Sequence, residues 1–71
     1  MIVLEIQKNT DSAATIATYY ADPAKAENKY HTILAAAAVS SVPVHSAVLM
    51  YDNGSIAKRE SYMHNGAEVD E

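Results

Sequence analysis

Residues 22–41, DPAKAENKYHTILAAAAVSS, carry a start signal, one apolar face and an enforced stop, the pattern of the chain's one long helix. Asp22 suits the N-cap of a helix, because its carboxylate can accept bonds from the first free amides. Pro23 follows at the first helical position, where a missing N–H costs nothing and φ is already set. From Ala24 most residues are good helix formers. Ala26, Tyr30, Ile33, Leu34 and Ala37 recur at helical spacing and form one apolar stripe. Lys25, Asn28 and Thr32 lie opposite it and should meet water. The stop is signalled as well. Val42 precedes Pro43 and is pushed into an extended form, while the Ser40 and Ser41 hydroxyls compete for backbone groups. One helix over about 23–41 is predicted. Ala35 and Val39 point away from the stripe, so the C-terminal half is apolar nearly all round, as in a helix with a second packing partner. Alanine as ordinary helix filler accounts for the same residues.

On the N-terminal side, Ile2, Leu4 and Ile6 alternate with Val3, Glu5 and Gln7, a strand with one clearly apolar face. Asn9, Thr10, Asp11 and Ser12 are turn formers. Residues 14–21, ATIATYYA, favour a strand through their threonines, isoleucine and tyrosines. The alternative is a helix from Asp11 running into the next element; Asp22-Pro23 reads instead as a fresh start.

On the C-terminal side, residues 44–51 form an extended run. Asn53-Gly54 is the strongest short hairpin signal, and residues 56–64 return as the partner strand. A two-residue Asn53-Gly54 loop would pair Asp52 with Ser55, Tyr51 with Ile56, Leu49 with Lys58, Ala47 with Glu60 and His45 with Tyr62. Val44, Val48, Met50 and Met63 would then suit the helix-facing core. Leu49, Tyr51, Ile56 and Tyr62 would occupy the other side, where an apolar patch usually marks a partner site. Scattered tyrosines on a wet sheet are the lesser alternative.

The fold class that follows is α+β: a four-stranded antiparallel sheet, ββαββ in sequence order, with the helix on one face. Residues 1–64 are expected to form a single domain and residues 65–71, NGAEVDE, an acidic disordered tail.

A chain of 71 residues has a small core. Short chains of this kind often need disulfides, a metal or a partner for adequate stability. The absence of cysteine removes disulfides and thiolate metal sites and fits a reducing cytosol. Association with a second copy, most simply as a dimer, is then the expected support. Of nine acidic residues three, Glu68, Asp70 and Glu71, close the chain, leaving six against five bases. No basic patch exists, so nucleic-acid binding through phosphate contacts is disfavoured. No apolar run is long enough to span a bilayer, and MIVLEIQK lacks the basic start of a signal peptide. A cytoplasmic setting is expected.

Few residues suggest chemistry. His31 follows Glu27 by four positions, the spacing of an ordinary surface pair on a helix. His45, Glu60, Tyr62 and His64 form a polar cluster on one side of the last hairpin. Two histidines and a carboxylate could hold a metal there, although no dense ligand motif is present. Two glycines cannot build a phosphate loop. No catalytic residue and no cofactor are expected.

Residues 27–48, ENKYHTILAAAAVSSVPVHSAV, resemble a stretch found in small uncharacterised proteins encoded by bacterial phages and prophages. The likeness is carried by KYHTILAAAAVSSVPVHSAV, with KRESYMH of the return strand similar too; the first hairpin matches only in general pattern. The resemblance implies a bacterial or phage cytoplasmic origin within a virion or assembly gene cluster. It brings no activity and no catalytic residue, and it contains His31 and His45.

The residues therefore support a non-enzymatic assembly or interaction protein that self-associates through Ala35, Val39, Leu49, Tyr51, Ile56 and Tyr62. A small module whose exposed sheet face binds a peptide or another protein is the alternative. A metal-dependent enzyme using His45, His64 and Glu60 ranks third.

Overall fold

A computed structural model describes residues 1–64. The order is β1 (Ile2–Lys8), β2 (Ala13–Tyr19), α1 (Pro23–Ala38), β3 (Val44–Met50) and β4 (Ile56–Met63). The strands form one antiparallel sheet in the order β2-β1-β3-β4, with α1 on one face. This is the predicted α+β arrangement. The expected tail, residues 65–71, lies outside the described residues.

The helix begins as its sequence dictates. Asp22 is extended, and its Oδ1 accepts the Ala24 N–H at 2.9 Å. It stops earlier than expected, at Ala38 rather than near Ser41. In the last turn Val39 donates to the Ala36 carbonyl and Ser40 to that of Ala37, the tightened bonding typical of a fraying end. The Ser40 hydroxyl then accepts the Val42 N–H at 3.0 Å, which turns the chain toward Pro43.

The predicted stripe is the buried one. Ala26, Tyr30, Ile33 and Ala37 are buried, and Leu34 packs against the core from its edge. Ala35 and Val39 face water, Val39 at 86% exposure.

The sheet face beneath the helix corrects the expectation. The core is built from Val3, Ala47 and Leu49 with Ala26, Tyr30 and Ile33 of α1. Leu49 is therefore not an interface residue, and Val44, Val48, Met50 and Met63 are not the helix-facing set. They point to the other side, because strand side chains alternate. The reason is size. Ala26 on the helix and Ala47 on β3 are fully buried, and such small side chains let helix and sheet backbones approach closely. Tyr30, Ile33, Leu49 and Val3 fill the space around them.

The last turn also differs in one residue. Gly54 donates to the Tyr51 carbonyl and Tyr51 to that of Ser55, so the loop is Asp52-Asn53-Gly54. Gly54 has φ +92°, the conformation that closes a three-residue hairpin loop. Met50, not Tyr51, then faces Ile56. A bulge between Leu49 and Met50 restores the register, so that Leu49–Lys58, Ala47–Glu60 and His45–Tyr62 pair as expected.

Candidate functional site

The principal feature is the sheet face that α1 leaves bare. Ile2, Leu4 and Ile6 project from β1, with Val44, Val48 and Met50 beside them on β3. Cross-strand pairing places Tyr19 next to Ile2 and Ile2 next to Met50, Leu4 next to Val48, and Val44 next to Met63. The central members are half-buried by their neighbours alone, while Tyr19, Ile56 and Met63 are exposed by 53–63%. The larger aliphatic side chains of β1 are thus on the face without the helix. Serines interrupt the surface: Ser46 faces Ser61, and with Ile6, Val48 and Arg59 they bound an open depression of about 450 Å³. Its lining is apolar on the β1 side and polar on the β4 side.

A second cluster lies under the helix. Glu5 and His45 share the helix-facing side, with Glu5 opposite Ala47 and His45 opposite Gln7. His45 is 5% exposed, and its Nε2 sits 2.7 Å from Glu5 Oε2. A carboxylate can only accept, so His45 Nε2 donates. Gln7 Nε2 donates to the same oxygen at 3.0 Å. The His45 bond is the main cause holding the Glu5 carboxyl below its usual range; desolvation opposes it, and Gln7 and the charge of Lys29 reinforce it. His45 Nδ1 is buried without a partner among the described residues.

The expected polar cluster is only partly gathered. His45 and Tyr62 are cross-strand neighbours, and the Tyr62 and His64 rings stack at 6.2 Å. His64 Nε2 instead donates to the Ala37 carbonyl at 2.9 Å and ties β4 to the helix end. His45 takes Glu5 rather than Glu60 as its carboxylate. Among the described residues no three side chains converge as metal ligands. Sequence reasoning missed Glu5, since alternation along β1 placed it on the wet side and nothing local announces which strand lies next to it.

His31 lies 3.5 Å from Glu27, the expected surface pair. Glu27 also accepts from Lys58, which links α1 to β4; this bond is the main cause lowering the Glu27 carboxyl and raising the Lys58 ammonium. Of the expected interface, Val39, Tyr51 and Ile56 are exposed, Ala35 is exposed on the helix back, Tyr62 is half-buried and Leu49 is core. They do not form one patch: Ala35 and Val39 belong to the outer side of the helix, Ile56 to the opposite side of the sheet.

Among the described residues no helix is long and apolar enough to cross a membrane. Comparison with family models, with curated proteins and with solved structures finds no match.

Proposed function

We propose that this chain is a non-enzymatic assembly module that associates with copies of itself through the bare sheet face. One observation carries the reading. The helix covers the face built on Ala47 and Leu49, and among the described residues the face built on Ile2, Leu4, Ile6, Val48 and Met50 has no second layer. A sheet needs its apolar side covered, and a second copy is the simplest cover for a chain with so small a core. The depression at Ser46 and Ser61 gives such a copy a place to seat a side chain. The likeness to small phage and prophage proteins supplies a setting: a bacterial or phage cytoplasm, in the building of a larger particle.

Light scattering tests the reading. The unmodified chain at micromolar concentration has a mass of two or more copies. Val48→Lys, which sets a charge at the middle of the face, lowers that mass while circular dichroism stays native. An unchanged mass in the variant contradicts it. A monomeric wild type that nevertheless retains a peptide or protein partner on this face favours the binding-module alternative.

A further inference from the structure

The two edges of the sheet are not alike. β4 carries Lys58, Arg59 and Glu60 in succession, the charged side chains that keep an open edge from pairing. β2, AATIATY, carries no charge, no proline and no glycine, and six of its seven residues are exposed. The helix contacts β1, β3 and β4 but leaves β2 largely uncovered.

The register identifies which β2 backbone groups have no partner among the described residues. Tyr20 donates to the Met1 carbonyl at one end of the β1–β2 ladder, and Asn9 to that of Ser12 at the other. Antiparallel pairs alternate between bonded and non-bonded. Ala14, Ile16 and Thr18 therefore spend their amides on β1, opposite Gln7, Glu5 and Val3. Ala13, Thr15, Ala17 and Tyr19 turn theirs outward.

Resting on the self-association reading, we propose that β2 is a seam: two copies join antiparallel along β2, about a two-fold axis through Ile16, into one continuous sheet. Strand length and composition favour a second copy as occupant. With the axis at Ile16, Ala13 meets Tyr19 of the other copy and Thr15 meets Ala17. Every outward N–H and C=O of these residues then finds a partner. The two Ile16 side chains, each 54% exposed in one chain, face each other in a non-bonded pair, where side chains lie closest. A two-fold contact places each surface against itself, and an uncharged strand meets itself without like-charge repulsion. The seam also extends the bare aliphatic face across both copies.

Ala17→Pro is the test. The Ala17 N–H serves no bond to β1, so proline is tolerated on this edge and removes only an outward donor. The variant, native by circular dichroism, has half the mass of the wild type by sedimentation. In the wild type the Thr15 and Ala17 amides exchange with deuterium slowly, at rates like those of Val3 and Leu49. A variant that keeps the wild-type mass overturns the seam and leaves the self-association reading standing. A monomeric wild type overturns both. Fast exchange at Thr15 and Ala17 in an associated wild type overturns the seam alone, and it does so even where Ala17→Pro fails to fold.

Discussion

Glu5 reaches diagonally from β1 to His45 on β3, 2.7 Å away, on the helix-facing side of the sheet, with His45 buried and Glu5 half-buried. Its bonding is unequal. Glu5 has two donors, His45 and Gln7, whereas His45 Nδ1 has none among the described residues. Removing Glu5 leaves the buried His45 imidazole without its acceptor, whereas removing His45 leaves a half-buried Glu5 that keeps Gln7 and some water. Glu5→Leu or His45→Leu alone should destabilise by about 1–3 kcal/mol, Glu5→Leu the more, and the double variant by less than the sum of the two. Urea unfolding of the four proteins checks this; additive losses would contradict it.

The same pair sets a pH dependence. The folded Glu5 carboxyl is held below its ordinary value of 4.5, chiefly by the bond from His45. Its contribution to stability is therefore complete above about pH 4.5, near its unfolded value, and is lost as pH falls through the lower folded value. In Glu5→Gln that part of the acid slope disappears. Thermal melts of both proteins from neutral pH down to about pH 3 give the comparison. Equal slopes would rule out Glu5 as a contributor.

Most of the layout could be read from residues 22–41. The Asp22-Pro23 start and the Ala26–Tyr30–Ile33–Ala37 stripe identify the helix, and Asn53-Gly54 identifies the hairpin after it. What the sequence hid was the side of the sheet on which the helix rests. Ile2, Leu4 and Ile6 make the more apolar face by composition, but Ala47 and Ala26 permit the closer packing, and close packing decided. Alternation alone cannot separate a face covered by a helix from one awaiting a partner. The three-residue turn was hidden for a related reason: Gly54 serves both loop lengths, and the compensating bulge restored the expected pairs beyond Leu49.

Helix capping is measurable at Asp22. Its bond to the Ala24 N–H satisfies an amide with no partner in the helix, and Asp22→Ala should cost about 1 kcal/mol. Asp22→Ser should retain most of the native stability in a denaturant titration.

The alanines of the helix divide by burial. Ala26 and Ala37 are fully buried, whereas Ala35 and Ala36 are exposed. Ala26→Leu should destabilise by about 1–3 kcal/mol through overpacking against the sheet. Ala36→Leu should change stability by no more than about 0.5 kcal/mol. Equal effects at the two positions would contradict the packing of helix on sheet described above.

Gly54 isolates a backbone effect. At φ +92° it has open space around it, so an added methyl group meets nothing. Gly54→Ala should still cost about 1–2 kcal/mol, because the left-handed region strains an L-residue. Gly54→Asn should cost less. The midpoint of urea unfolding, with constant slope, reads both.

Sedimentation equilibrium of the unmodified chain over a micromolar dilution series decides whether copies associate. The bare face of Ile2, Leu4, Ile6, Val48 and Met50 predicts a mass of two or more copies that falls toward one copy on dilution. A mass of one copy throughout the series would contradict it.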